Sequence, residues 1–246
     1  MKKILALVLA SIMIFAIVGC QKADDPAKKS EGVMTYAQYM AAKVDDPVVI
    51  EAYVQATQSW WENKITVYAA DKDGAYFIYN MTCSEADSKK LTAGTKIKVT
   101  GHKGEWSGEI EIAEGATFVI EEGSYIASPV DLTSVFGTDD LIKHQNEKFS
   151  VKNAVVQAVG KDDGGNDAAF FYKWDNSGTE GDDLYFKVKI GENDFTFTVE
   201  SYLCGKDTDV YKAVQALKIG DKIDVEGFLY WYEGANPHIT SVTASK

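Results

Sequence analysis

Leu91-Thr92-Ala93-Gly94-Thr95-Lys96-Ile97-Lys98-Val99-Thr100-Gly101 returns as Leu217-Lys218-Ile219-Gly220-Asp221-Lys222-Ile223-Asp224-Val225-Glu226-Gly227, 126 positions later. The shared pattern is L-x-x-G-x-K-I-x-V-x-G. It reads as the end of a helix, a glycine stop, and a strand with isoleucine and valine on one face. A second match, Ala52-Tyr53-Val54-Gln55-Ala56 with Ala154-Val155-Val156-Gln157-Ala158, keeps the same order at an offset of 102 positions. The second copy therefore holds 24 more residues between its matched segments (126 − 102). Two matched segments in one order mark a duplicated unit.

Working outward, each copy has the same order of elements. In copy one, Val48 to Thr57 is β-rich, and Lys64 to Ala70 alternates with Ile65, Val67 and Ala69 on one face. Asp71-Lys72-Asp73-Gly74 is a hairpin turn leading into a strand over Ala75 to Met81. Ser84-Glu85-Ala86-Asp87 resembles a capping box and starts a short helix ending near Leu91. Strands follow at Lys96 to His102 and Gly108 to Ile112. Copy two gives strands at Phe149 to Val159, Leu184 to Ile190, Asp194 to Ser201, Lys222 to Leu229 and His238 to Val242. Gly191-Glu192-Asn193 is its hairpin turn, and its helix, Asp209 to Leu217, puts Val210, Val214 and Leu217 on one face. A short helix precedes each copy: Thr35 to Ala42, with Thr35 and Gln38 as a capping box, and Thr138 to Gln145.

Three strands, a helix and two strands in about a hundred residues is the order of the OB-fold, a five-stranded barrel. The L-x-x-G-x-K-I-x-V-x-G segment resembles the passage from helix to fourth strand in bacterial OB domains. The fold class expected is all-β with short helices: two tandem five-stranded OB-fold-like barrels, each preceded by a short helix. A pair of β-sandwiches is the runner-up, and the single helix at matching positions argues against it.

The N-terminus reads as a targeting segment. Met1-Lys2-Lys3 is basic, and Ile4 to Val18 is apolar but for Ser11. That run is short for a membrane span and fits a secretory signal. It ends in Ile17-Val18-Gly19-Cys20, which resembles the lipobox of bacterial lipoproteins. The resemblance implies lipidation of Cys20 and an extracytoplasmic chain anchored to the bacterial cell membrane by its acyl groups. The expected organisation is a signal peptide over 1–19, a flexible tether over 20–34, a first barrel over 35–125, a linker with a short helix over 126–148, and a second barrel over 149–246. The mature chain resembles tandem OB-fold lipoproteins of the bacterial surface.

Charge narrows the partners. The chain has 25 lysines, no arginine and 37 acidic residues, for a net charge of −12. Losing Lys2 and Lys3 leaves 23 lysines (25 − 2) and a charge of −14. Avid phosphate-backbone binding rests on neutralising cations, so this balance disfavours nucleic acid. A hydrophobic fraction of 46% excludes disorder throughout.

OB-folds bind on the face of strands two and three, framed by the loops between strands one and two and between strands four and five. Trp60 and Trp61 fall in the first of these loops in copy one, and Trp106 in the second. Trp174 falls in the enlarged first loop of copy two, and Trp231, flanked by Tyr230 and Tyr232, near its second. Tyr76 or Tyr79, and Tyr185, add surface from strands two and three. Flat aromatic platforms stack on sugar rings, nucleobases or a partner's apolar side chains. Many acids surround them, among them Glu62, Glu105, Asp162, Asp163, Asp182, Asp183 and Glu233, and these suit sugar hydroxyls better than phosphates. The expected activity is non-catalytic binding of a neutral oligosaccharide. The alternatives are a protein-interaction or envelope-assembly module, and single-stranded nucleic-acid binding with Lys64, Lys96 and Lys98 as its basic stripe.

No nucleophile elbow, phosphate loop or zinc spacing is present in the sequence, and no cofactor or resident metal is expected. The Asp71–Gly74 and Asp162–Asp167 turns carry calcium-type oxygens, but hairpin-turn chemistry accounts for them. Cys83 and Cys204, each just before its copy's helix, are expected as free thiols rather than an inter-domain disulfide.

Overall fold

The computed structural model describes residues 25–245. The segment expected as a signal peptide over 1–19, Cys20 and the start of the expected tether lie outside the described residues. No helix among the described residues is long and apolar enough to cross a membrane.

The first barrel contains helix α1 (Tyr36–Ala41), strands β1 (Pro47–Thr57), β2 (Lys64–Ala70) and β3 (Ala75–Thr82), helix α2 (Glu85–Ser88), and strands β4 (Thr95–Trp106), β5 (Glu109–Ile112) and β6 (Thr117–Ser124). Its strands run β1-β2-β3-β5-β4, and β4 pairs back onto β1, so the sheet closes. Closure uses a parallel pairing of β3 with β5, Phe77 opposite Glu111. The fifth strand comes in two pieces: β5 pairs with the second half of β4, and β6 with its first half.

Short strands β7 (Val130–Asp131), β9 (Gly160–Lys161), β10 (Asp167–Ala168) and β11 (Phe170–Tyr172) are additions to the second barrel. Its frame is β8 (Lys148–Gln157), β12 (Leu184–Ile190), β13 (Asn193–Val199), helix α3 (Asp209–Gln215), β14 (Lys222–Phe228) and β15 (His238–Ala244). The order β12-β13-β15-β14-β8, with β8 pairing back onto β12, closes this barrel as well. Both barrels therefore have OB topology. The helix expected over 138–145 is a 3-10 turn, Leu141–His144.

The repeated segment explains itself in the structure. Gly94 and Gly220 sit at φ +92° and +94°, a left-handed turn that costs glycine little. Ile97 and Val99, and likewise Ile223 and Val225, are buried in their barrel cores. The last glycine is where β4 or β14 passes under the fifth strand. A Cβ on Gly101 would lie 2.8 Å from Ala116 and Ile112 side chains, and one on Gly227 would lie 2.2 Å from the His238 carbonyl oxygen.

The first helix is held as its sequence predicts. Gln38 N–H donates to Thr35 Oγ1 at 3.2 Å, and Thr35 N–H donates to Gln38 Oε1 at 2.8 Å. Lys103 Nζ closes its other end by donating to the carbonyls of Met40 and Ala42 at 2.7 and 2.8 Å. Tyr36 and Tyr39 from this helix pack on Tyr76 inside barrel one, at ring separations of 5.4 and 5.1 Å.

A correction concerns the tether. Over its described part it lies against barrel one. Lys29 forms an ion pair with the buried Asp71, and its Nζ also donates to the Glu51 carbonyl at 2.8 Å. Met34 N–H donates to Val49 O at 2.8 Å. These contacts hold a segment whose composition alone reads as flexible.

Candidate functional site

The repeat register shows why the two barrels differ. Val54 pairs with Ala69 in barrel one, and its counterpart Val156 pairs with Val188 in barrel two. Tyr68 thus occupies the position of Lys187. The next pairing puts Phe77 opposite Tyr68 and Thr196 opposite Lys187. On the outward face of strands two and three, one copy carries Tyr68 and Phe77 and the other carries Lys187 and Thr196.

Barrel two covers the apolar version. Tyr68 and Phe77 are buried with Phe228 in a small aromatic cluster, and Tyr230 packs against it. The Tyr230 ring lies 5.1 Å from Phe77 and stacks on His238 at 4.6 Å. Hydrogen bonds line the junction. Gln145 Nε2 donates to Gly108 O at 2.8 Å, and Ile110 N–H donates to Gln145 Oε1 at 3.1 Å. Trp231 N–H donates to Glu109 Oε2 at 2.9 Å. Much of the ligand face of the first OB barrel is therefore an interface within the chain.

The polar version is open. A cleft of about 750 Å³ lies over it, lined by Trp174, Tyr185, Lys187, Thr196, Tyr232 and Asn236. Three of the sequence-predicted aromatics, Trp174, Tyr185 and Tyr232, meet here. Trp174 is 76% exposed. Its loop is ordered: β11 pairs with β12, Lys173 N–H donates to Asp183 O at 2.8 Å, and Asp175 accepts Ser177 N–H at 3.1 Å. The opposite wall is braced from both barrels. Glu233 N–H donates to Ser107 O at 2.8 Å, and Thr198 Oγ1 donates to Asn236 Oδ1 at 3.0 Å. Burial, with Asp183 and Glu200 nearby, holds the Tyr185 hydroxyl above its ordinary pKa.

A second cleft, of about 460 Å³, opens at the uncovered end of the first barrel's face. Trp61, Lys64, Thr66, Tyr79 and Asn80 line it together with Tyr202, which comes from barrel two. Trp61 and Tyr202 are 70% and 66% exposed. Lys64 pairs there with Glu114.

The other predicted residues are elsewhere. Trp60 is half-buried against the first core and donates its Nε1–H to Cys83 O at 2.8 Å. Tyr230 packs on the aromatic cluster at the junction, and Trp231 packs on the second core and lines a separate cleft of about 420 Å³ with Leu141, Ile142 and Phe195. Trp106 ends β4 and is exposed, and it lines neither cleft. Tyr76 is buried, which leaves Tyr79 as the outward tyrosine of β3. The sequence reading missed Tyr202, Lys187, Thr196, Asn236 and Asn80. The repeat register could have found Lys187 and Thr196, but only knowledge of the junction finds Tyr202.

Other chemistry is spoken for. Asp71 Oδ1 accepts Asp73 and Gly74 N–H at 2.7 and 2.9 Å, and Asp162 Oδ1 accepts Gly164 and Asn166 N–H at 2.9 and 2.8 Å. These carboxylates hold their own turns, and among the described residues no group of three His, Cys, Asp or Glu could hold a metal. Cys83 and Cys204 are free and buried, each thiol pushed up to about 11 mainly by burial.

No protein-family model and no curated protein matches the sequence. Among solved structures, the chain is similar to the Ifi202 HINa domain in complex with a 20-bp double-stranded DNA, at 13% identity and a TM-score of 0.36, over 82% of this chain and 97% of that one. It is similar to a murine DNA-binding protein bound to double-stranded DNA, at 11% identity and 0.34, over 82% and 97%. A replication protein A heterotrimer bound to single-stranded DNA matches at 9% identity and 0.30, over 89% and 70%. Likenesses of this size carry nothing about ligand or activity, and the OB assignment stands on the strand order of the two closed barrels.

Proposed function

We propose that this protein is a non-catalytic binding lipoprotein whose open cleft on barrel two takes a neutral oligosaccharide. The observation that carries the reading is the meeting of three aromatic side chains, from Trp174, Tyr185 and Tyr232, with an amide, a hydroxyl and one ammonium in a single cleft. Rings supply stacking surface for pyranose faces, and Asn236, Thr196 and Lys187 supply directional hydrogen bonds. The three lysines of the candidate basic stripe in barrel one each lie near a carboxylate. Lys64 pairs with Glu114, Lys96 lies 3.7 Å from Glu51 and 3.8 Å from Glu121, and Lys98 lies 4.0 Å from Glu51. That supports a neutral ligand over a phosphate backbone.

One observation favours a second reading, single-stranded nucleic acid. Lys187 and Lys189 share the outward face of β12 with Tyr185, which is the OB pattern of base stacking beside a cation. Anchorage at Cys20 completes the proposal and rests on the lipobox resemblance of Ile17-Val18-Gly19-Cys20.

Tryptophan fluorescence titration tests both ligands. Cellotriose, xylotriose, N-acetylchitotriose and maltotriose form the sugar arm, and oligo-dT the other. A saturable response to a sugar, lost in Trp174→Ala, supports the proposal. A response to oligo-dT alone, weakening with salt, replaces it with the second reading. Membrane fractionation of Cys20→Ser tests the anchor: retention in the membrane fraction would remove that part.

A further inference from the structure

The linings of the two clefts overlap in side-chain type. Barrel two offers Trp174, Tyr185, Tyr232, Lys187, Thr196 and Asn236. The junction cleft offers Trp61, Tyr79, Tyr202, Lys64, Thr66 and Asn80. Each includes a tryptophan, two tyrosines, a lysine, a threonine and an asparagine; the junction cleft adds Gln58, Ser59, Glu62 and Ile65, and the barrel-two cleft adds Val159 and Ala235. Duplication does not explain the match. In barrel one the counterparts of Lys187 and Thr196 are Tyr68 and Phe77, and both are buried under barrel two. Apart from the tryptophan, which both copies carry between their first two frame strands, the shared side-chain types come from non-equivalent positions.

The junction cleft is also composite. Tyr202 follows β13 of barrel two, and its carbonyl accepts Ser59 N–H at 2.7 Å and Ser59 Oγ–H at 3.1 Å. These bonds hold the Tyr202 backbone beside the loop that carries Trp61. Neither barrel alone presents all three rings.

We infer that the junction cleft is a second subsite for the same class of neutral oligosaccharide, complete only when the barrels are docked, so that one chain grips a glycan at two points. This rests on the reading of the barrel-two cleft given above. Two modest subsites on one chain raise avidity for a polymer without any new contact. The covered face between them then has a use: it fixes the spacing of the two grips.

Trisaccharide probes are short enough to read each cleft by itself. Isothermal titration of the full-length protein with the trisaccharide that responds is expected to give two sites per chain. Trp174→Ala should leave one site. Adding Trp61→Ala or Tyr202→Ala should weaken the remaining site by about tenfold or more, the size of loss at an aromatic anchor. Tyr202→Ala removes only the ring, because the junction hydrogen bonds use its carbonyl, and near-ultraviolet circular dichroism checks that the docked fold persists. One site per chain, lost in Trp174→Ala and untouched by Trp61→Ala and Tyr202→Ala, overturns the inference and leaves the barrel-two reading standing. No heat from any of the four trisaccharides overturns both.

Discussion

Tyr68 of barrel one stacks nearly face to face on Phe228 of barrel two, at a ring separation of 4.4 Å and an interplanar angle of 11°, while its hydroxyl meets His238 Nδ1 at 2.9 Å. This pair is the centre of the junction. It joins an apolar contact to a buried hydrogen bond, and burial keeps His238 neutral by lowering its pKa to about 3. In a neutral imidazole Nδ1 either accepts from the Tyr68 hydroxyl or donates to it, according to the tautomer.

Tyr68→Phe keeps the stack and removes the hydroxyl. The buried His238 nitrogen then has lost its partner, which costs about 1–3 kcal/mol. Urea denaturation should show that loss in a single transition, because the barrels share this cluster. An unchanged midpoint would mean that the hydrogen bond contributes nothing net.

Lys29 is the charged anchor of the segment over residues 25–34. Its ammonium meets the buried Asp71 carboxylate and the Glu51 carbonyl. Lys29→Met leaves Asp71 with its turn amides and the Tyr76 hydroxyl but no cation. Breaking a buried pair on one side typically costs about 3–5 kcal/mol. Limited proteolysis should then cut within residues 25–34, where the unaltered protein resists. Equal resistance in the variant would show that the remaining backbone contacts suffice.

The repeated segment also yields a test, because its last glycine has a steric reason. Gly227→Ala puts a methyl group 2.2 Å from the His238 carbonyl oxygen, so β14 and β15 must part. Overpacking of this kind costs about 3 kcal/mol or more where backbone is the obstacle. Gly220→Ala strains only a left-handed turn with open space around it, at about 1 kcal/mol. Thermal melts of the two variants should fall in that order, and the reverse order would contradict the account of the motif.

Legibility in the sequence followed locality. The frame strands, the helix starts at Thr35 and Ser84, and both hairpin turns depend on neighbours in the chain, so periodicity and turn chemistry show them. β6 was not legible, since Thr117–Ser124 is largely exposed and lacks a buried stripe. Adjacent Trp60 and Trp61 look alike in sequence yet part company: one seals the first core and the other stands in solvent. The turn that follows them, with Glu62 and Asn63 at φ +46° and +63°, has no glycine to announce it. Tyr68 and Phe77 read as ordinary strand residues, and their burial under barrel two depends on a contact more than a hundred residues away. Tyr202 joins the junction cleft for the same reason. Docking between domains is a property of surfaces, and single-chain periodicity does not encode it.

Glu109 gives the junction a pH dependence of definite sign. It is fully buried, accepts Trp231 N–H at 2.9 Å through Oε2, and has no hydrogen-bond partner for Oε1. The Asn146 amide, the carboxyl of Glu111 and the phenols of Tyr68 and Tyr230 surround it. Burial pushes its carboxyl from an ordinary 4.5 up to about 8. The folded state therefore keeps a proton that the unfolded chain releases above 4.5. Its stabilising share is full below that pH and falls as pH rises through about 8. Glu111 and Glu200, each raised to about 7 mainly by burial, act in the same sense. His238 acts in the opposite sense: its share is present above an ordinary 6.5 and is lost as pH falls toward about 3. The protein should thus be less stable at about pH 8.5 than at about pH 5.5, and Glu109→Gln should flatten that slope. Urea midpoints of both proteins across this range decide it. Parallel pH profiles would mean that Glu109 is ionised in the folded protein, with its charge met inside the junction.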